Sequence, residues 1–230
     1  MLRLVALGAL TVALLATGTA QAVLRRHVVG RSLTGRPIVA LELGDPGAPR
    51  KVLVVGCVHG NEPAGIAVTS RLLRLAVPRG VDLWVVPSFN PDGQHAGTRG
   101  NARGVDLNRN FPFRWTQLAG VYYSGRHALS EPESRSAYAL IRRLRPAISI
   151  WFHQHMDVVD VSGGNSALET RYARLVGLRT ASLVRPPGSI VTWENNAFPN
   201  GSAFVVELPA GPLAPPAALR FARAVDVIAR

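Results

Sequence analysis

Short continuous apolar runs alternate along the chain with longer segments in which apolar residues recur at helical spacing. The apolar runs, which predict buried strands, are residues 52–55, 81–86, 147–152 and 203–208. Residues 28–43 predict two further strands around a turn at Thr34-Gly35. The helical spacing predicts helices over residues 64–75, 130–145, 166–178 and 215–229.

Local sequence at two of the predicted helix starts supports these assignments. Pro63 suits the first helical position of the 64–75 helix. Ser130 and Glu133 have the spacing of a capping box for the 130–145 helix. Residues 94–112 are rich in glycine and arginine and are expected to be irregular.

The alternation of strands and helices predicts an α/β fold. We expect a single-domain three-layer sandwich around a mixed, mostly parallel sheet. Ligands of such sheets bind beyond the carboxyl ends of the strands. His59, Asn90, His153 and Glu207 each follow or end an apolar run, so we expect them to converge on one cleft.

The first 22 residues have the composition of a secretory signal peptide. A positively charged start is followed by a short apolar run, residues 4–16, and by small residues up to Ala22. A membrane anchor is the alternative, but the apolar run is short for a bilayer. We expect cleavage after Ala22, a catalytic domain over residues 23–230, and a secreted or periplasmic location.

Composition and charge narrow the class of function. A chain of 230 residues, of which 47% are hydrophobic, can bury a core without disulfides, and Cys57 is expected to be a small buried hydrophobe. The formal net charge of +12 comes almost entirely from arginine. No basic run is interleaved with aromatics, which argues against nucleic acid. The anionic cell envelope is the expected partner of this charge, and we expect a monomer.

The segment from Gly56 to Pro63 places a histidine and a glutamate on a strand-to-helix turn. Catalytic zinc takes three nitrogen or oxygen ligands and leaves a position for water, so His59 and Glu62 are candidate ligands. His153 is the preferred third ligand, and His155 remains open as an alternative. Glu207, within an apolar run, is the candidate general base.

Arginines upstream of and within the sequence Val-Asp-Leu-Asn-Arg-Asn-Phe-Pro, residues 105–112, suit substrate binding. Asn108 and Arg109 could hold a terminal carboxylate, because a guanidinium offers two parallel hydrogen bonds. Arg99 and Arg103 could stabilise the oxyanion that forms when water attacks an amide. A solvated surface arginine remains the alternative for Arg103.

Together these motifs resemble the zinc carboxypeptidase family, and within it the small bacterial branch of murein peptide amidases. They are His-Gly-Asn-Glu at 59–62, Asn-Pro-Asp-Gly at 90–93, the 106–112 segment, His153 and the final Val-Val-Glu-Leu. The resemblance implies an eight-stranded mixed sheet and one catalytic zinc ion. It implies that His59, Glu62 and His153 are the ligands and that Glu207 is the base. It also assigns oxyanion stabilisation to Arg99 and carboxylate binding to Asn108 and Arg109.

Two departures from the larger family members bear on specificity. Residues 185–200, where those members carry a mobile tyrosine, contain none, and the chain is short. Hydrolysis of γ-D-glutamyl-diaminopimelate amides is therefore a natural possibility. The leading hypothesis is a secreted zinc peptidase or amidase that cleaves an amide next to a carboxylate-bearing residue in small peptides.

Two other hypotheses remain. An N-acyl amino-acid deacylase of the aspartoacylase or succinylglutamate desuccinylase type shares the His-x-x-Glu turn. Such enzymes usually carry a further domain, whereas 23 residues follow Glu207 here. A non-catalytic envelope-binding module would be marked by the loss of a ligand or of the base, and the sequence retains all of them.

Overall fold

A computed structural model describes residues 24–184 and 186–230. The predicted signal peptide, residues 1–22, lies outside the described residues. The strands are Arg25–Arg31 (β1), Pro37–Gly44 (β2), Arg50–Val55 (β3), Val81–Val86 (β4), Ile148–Gln154 (β5), Val158–Asp160 (β6), Arg179–Ala181 (β7) and Ser202–Leu208 (β8). The helices are Ala64–Leu72 (α1), Pro91–Ala96 (α2), Pro132–Leu144 (α3), Ser166–Val176 (α4), Ile190–Ala197 (α5) and Pro215–Ala229 (α6). No helix in these described ranges has both the length and the apolarity needed to cross a membrane.

The strands form one eight-stranded mixed sheet in the order β1-β2-β4-β3-β5-β8-β6-β7. The central strands β4, β3, β5 and β8 run parallel to one another. Antiparallel pairs flank them, β1 with β2 and β2 with β4 on one side and β6 with β8 on the other. The predicted mixed, mostly parallel sheet is confirmed, and its parallel centre aligns the carboxyl ends of β3, β5 and β8.

Helices cover both faces of the sheet, which explains why the central strands are continuously apolar. On one face Phe152 and Phe221 belong to a core that includes residues of α1, α4 and α6. On the other face Trp151 and Leu140 belong to a core built with α3 and α5. Because side chains alternate along a strand, His153 projects on the same face of β5 as Trp151.

The capping-box prediction is wrong. The N-cap of α3 is Glu131, and Pro132 follows it at the first helical position. Ser130 donates its hydroxyl to the Glu131 carboxylate instead of a helix amide. The Glu133 carboxylate accepts from the Leu33 amide and from Asn101. Both acids therefore hold other segments in place, and neither caps its own helix by its side chain.

Other boundaries differ in smaller ways. Pro63 is the N-cap of α1 and lies outside the helix, which ends at Leu72. Part of residues 94–112, which we expect to be irregular, is helical, since it contains the 3-10 helix Leu107–Arg109 and the end of helix α2. Asn90 caps α2 by accepting from the Gly93 amide, and Gly97 ends it in the left-handed conformation. The strands β6 and β7 and the helix α5 lie in the segment 156–199, where only α4 was predicted.

Candidate metal centre and cleft

The turn between β3 and α1 positions two of the candidate ligands. The Glu62 amide donates to the His59 carbonyl at 3.0 Å, which closes the turn and brings both side chains to one side. Gly60 lies so close to α2 that a Cβ atom there would overlap the Gly93 carbonyl group. The turn is therefore locked against a neighbouring helix, and both side chains are buried.

His153 completes a group of three ligands within 4.8 Å of one another. His59 Nδ1 and His153 Nδ1 lie 3.1 Å apart. The Glu62 carboxylate contacts both rings, with Oε1 at 2.9 Å from His59 Nδ1 and Oε2 at 2.9 Å from His153 Nδ1. One atom from each of the three side chains could therefore contact a single metal ion.

This donor set fits zinc. Two imidazole nitrogens at such a distance cannot both present lone pairs unless a proton or a cation lies between them. Ligands of a tetrahedral zinc ion, each about 2.0–2.1 Å from the metal, lie about 3.3–3.4 Å apart, which is close to the separation found here. Two imidazoles and one carboxylate are also the ligand types of hydrolytic zinc sites.

Asp106 lies behind His59 and fixes its tautomer. His59 donates Nε2–H to Asp106 Oδ1 at 3.0 Å, which leaves the Nδ1 lone pair for the metal. Asp106 Oδ2 also accepts from Arg99 Nε at 2.9 Å. Asp106 lies within the 105–112 motif, but the motif by itself indicates no role for it. General chemistry could have indicated the role of Asp106, because metal-bound histidines commonly donate a hydrogen bond from their second nitrogen to a carboxylate.

His155 is not part of the three-ligand group. β5 ends at Gln154, and His155 is exposed where the strand has stopped. Its ring lines the cleft beside the site. Of the two histidines left open by the sequence, the geometry therefore favours His153.

Glu207 lies next to the ligands on the neighbouring strand. It is paired in register with His153 across β5 and β8, so both side chains project on the same face of the sheet. Its Oε2 is buried without a hydrogen-bond partner among the described residues. A carboxylate oxygen without a protein partner, on a residue paired in register with a candidate ligand, suits contact with a water molecule.

Arg99, Asn108 and Arg109 line the same cleft, which has a volume of about 680 Å³. Arg99 Nη1 donates to Glu62 Oε1 at 3.1 Å, so its guanidinium is held at the metal ligands. Asn108 Oδ1 accepts from the Ile190 amide at 3.0 Å, which fixes the orientation of its amide group. Arg109 is buried and donates to the Asn108 carbonyl.

Cys57 is buried as predicted, whereas Asn90 and Arg103 do not line the cleft. Asn90 is fully buried and donates to the carbonyls of Val58, Arg99 and Gly100, so it supports the site from behind. Arg103 is absent from the cleft lining and pairs with Glu131. Cys57 is fully buried, and burial raises the pKa of its thiol to about 12, as expected of a structural residue.

The electrostatics of the site keep Glu62 ionised and make Glu207 a stronger base. Burial raises the pKa of Glu62, but hydrogen bonds from His153 and His59 outweigh it and hold that pKa well below its usual range. Burial also raises the pKa of Glu207, and there the nearby histidines only partly oppose it, so the net shift is upward. A carboxylate with a raised pKa is a stronger base near neutral pH.

Comparison with known proteins agrees with this geometry. The sequence profile of the zinc carboxypeptidase family matches residues 15–181. Murein peptide amidase A of Escherichia coli (strain K12) is 34% identical over 181 residues, which cover 71% of this chain and 74% of that protein.

Solved structures share the fold. The murein-tripeptide amidase MpaA from Escherichia coli O157 is similar over 92% of this chain and 94% of its own, with a TM-score of 0.75 and 28% identity. The carboxypeptidase A from Helicoverpa armigera is 20% identical, with a TM-score of 0.78 over 90% of this chain and 68% of its own. The second of these likenesses concerns the fold alone. The chain belongs to the zinc carboxypeptidase family.

Proposed function

We propose that this protein hydrolyses the amide bond next to a carboxylate-bearing residue in small murein peptides. The observation that carries the proposal is the group of His59, Glu62 and His153, with Glu207 beside it on the neighbouring strand. Family membership makes the protein a zinc-dependent hydrolase. The names of the murein peptide amidases among its relatives support the substrate class.

The chemistry is assigned to residues of this chain as follows. His59, Glu62 and His153 would hold the zinc ion, which when bound supplies a Lewis acid that makes water a better nucleophile at neutral pH. Glu207 accepts a proton from the attacking water and passes it to the leaving nitrogen, which breaks the carbon–nitrogen bond. A general base must accept a proton from its substrate water, and Glu207 Oε2 is available for this because it makes no hydrogen bond to the described residues.

Three donors bind the substrate in this proposal. The Arg99 guanidinium, fixed by Glu62 and Asp106, donates to the carbonyl oxygen as negative charge develops there. Asn108 and Arg109, which line the same cleft, bind the free carboxylate of the leaving residue. Binding the carboxylate at a fixed distance from the metal selects the adjacent amide for cleavage.

The proposal also places the protein outside the cytoplasmic membrane. Its support is the signal-peptide pattern of residues 1–22 and the net charge of +12, which suits an anionic envelope. A murein substrate is found in that compartment. The retained ligands and base argue against a non-catalytic binding module.

The test is hydrolysis of murein tripeptide, L-alanyl-γ-D-glutamyl-meso-diaminopimelate, by the zinc-loaded protein. We expect release of diaminopimelate, loss of activity after chelation, and recovery when zinc is restored. Glu207→Gln should retain zinc but lose activity by a factor of at least about 10² to 10⁴, the usual contribution of a general base. Equal cleavage by the chelated protein, or an active Glu207→Gln variant, would contradict the proposal.

A further inference from the structure

Tyr122 is a cleft residue to which the sequence motifs assign no role. It ends the 3-10 helix Gly120–Tyr122 and lines the cleft beside Arg99, Asn108 and Arg109. The residue is 46% exposed, so its ring is accessible from the cleft. Single exposed apolar side chains are common on protein surfaces, so the contacts of this ring with the cleft arginines, and not its exposure, point to a role.

The Tyr122 ring lies within cation–π distance of both arginines of the cleft. The guanidinium carbon of Arg109 lies 5.2 Å from the ring centroid, and that of Arg99 lies 5.4 Å from it. Cations within about 6 Å of an aromatic face are attracted to its quadrupole. One aromatic ring thus contacts the two cations that the proposed mechanism uses.

The two arginines are held in different ways. Arg99 forms ion pairs with Glu62 and Asp106. Arg109 is only 7% exposed and donates Nη1–H to the Asn108 carbonyl at 2.6 Å, whereas its Nε is buried without a partner among the described residues. No carboxylate within the described part of the chain forms an ion pair with Arg109. Its orientation therefore depends on uncharged short-range contacts, of which the Tyr122 ring is one, together with the longer-range attraction of Asp106 and Glu62.

The backbone around Tyr122 is tied to the segment that carries Arg109. The Asp106 amide donates to the Tyr123 carbonyl at 2.8 Å, and Asn110 Nδ2 donates to the Ser124 carbonyl at 2.7 Å. The Tyr123 amide closes the 3-10 turn on the Gly120 carbonyl at 3.1 Å. The ring is thus placed by hydrogen bonds from both sides of Arg109 in the sequence.

We propose that Tyr122 is a positioning residue that orients the Arg109 guanidinium for a substrate carboxylate and so determines specificity for it. Contact with the ring covers the face of the guanidinium, and the edge N–H groups that do not bind the Asn108 carbonyl can donate to a ligand. Those edge donors form the paired hydrogen bonds that a carboxylate accepts, provided that the guanidinium plane is fixed. This inference rests on the proposed function, because it concerns the residue that leaves when the amide is cleaved.

The test measures binding without turnover, in zinc-loaded protein carrying Glu207→Gln. The ligands are murein tripeptide and the same peptide with the carboxyl group next to the scissile amide converted to a carboxamide. Tyr122→Leu should weaken binding of the carboxylate peptide by about 3- to 30-fold, the range expected for loss of a partly desolvated cation–π contact. It should change binding of the carboxamide less than about twofold, since the paired hydrogen bonds need a carboxylate.

Two comparison variants separate positioning from general disruption of the turn. Tyr122→Phe keeps the ring and should bind the carboxylate peptide within about twofold of the Tyr122 protein, because the ring face makes the contact. Val121→Ala alters the exposed neighbour in the same 3-10 helix and should have no effect. If Tyr122→Leu loses zinc, Tyr122→Gln takes its place in the same comparison.

Kinetics provide a second readout in protein with Glu207 intact. Tyr122→Leu should raise KM for the tripeptide and leave kcat nearly unchanged, and it should add nothing once Arg109→Gln is present. Equal weakening of both peptides, no weakening of either, or additivity with Arg109→Gln would overturn the inference. If the binding pattern holds but the tripeptide is not hydrolysed, the proposed function fails and the role of Tyr122 stands.

Discussion

At the scale of single residues, Asp106 connects the parts of the site. It accepts a hydrogen bond from the candidate metal ligand His59 on one oxygen and from Arg99 on the other. Burial raises its pKa, but the charge and hydrogen bond of His59, with the nearby arginines, outweigh burial and hold that pKa well below its usual range. Asp106 is thus a permanent anion that makes His59 a better ligand.

Replacing Asp106 by asparagine should weaken zinc binding by about 10- to 100-fold, as loss of such outer partners does in other zinc sites. The amide can still accept from His59, but it carries no charge to polarise the ring. Competition with a chromophoric chelator measures the affinity.

Asp82→Asn is the matched control for this variant, because Asp82 is equally buried and pairs with Lys51 away from the cleft. It should lower stability and leave zinc affinity unchanged. Unchanged zinc affinity in Asp106→Asn would show that His59 needs no charged partner.

Among single residues, the sequence best predicts the site residues whose type alone indicates their chemistry. His59 and Glu62 share one turn, and Arg109 lies in a dense polar motif, so all three stood out. Asp106 gained a role only from the structure, because its partner His59 is 47 positions away. Tyr122 was missed for the same reason, since its stacking partners lie on a separate segment.

At the scale of elements, the register of β5 against β8 places the acid beside the ligands. The pairing of His153 with Glu207 follows from two apolar strands that the sequence predicts well. Helix α5 was not predicted, yet it packs behind these strands through Glu194. This buried carboxyl accepts from Ser149 and from Trp151 Nε1, both on β5.

Glu194 should make stability depend on pH. Burial raises its pKa to about 7 from the model-compound value of 4.5, against the lowering effect of its two hydrogen bonds. Between those values the native state holds a proton that the unfolded chain has released. The free energy of unfolding therefore falls as the pH rises through this window.

Glu194→Gln removes the carboxyl group that binds this proton and replaces it with a neutral group of similar shape. At pH 8 the variant should be more stable than the wild type by about 1–3 kcal/mol, and the difference should shrink toward pH 5. Urea unfolding at the two pH values, at fixed zinc concentration, measures it. Asp226→Asn, at the end of α6, is the control and should show no such difference. A Glu194→Gln effect independent of pH would contradict the assignment.

At the scale of the whole molecule, the order of the strands brings together ligands that are 94 positions apart. The sequence predicts the layers, because continuous apolar strands require cover on both faces. It does not predict the sheet order or the three-residue strands β6 and β7, because neither leaves a periodic pattern. The helix within residues 90–97 is also not predicted by the sequence, because the residue types that form turns also start and end helices.

The central claim is that two imidazoles and one carboxylate of this chain hold a single zinc ion next to Glu207. Anomalous diffraction at the zinc absorption edge, from crystals of the zinc-loaded protein, tests it most directly. We expect one peak among His59 Nδ1, His153 Nδ1 and the Glu62 carboxylate, about 2.0–2.2 Å from each. A peak bound by His155 in place of His153, or no peak at this position, would contradict it.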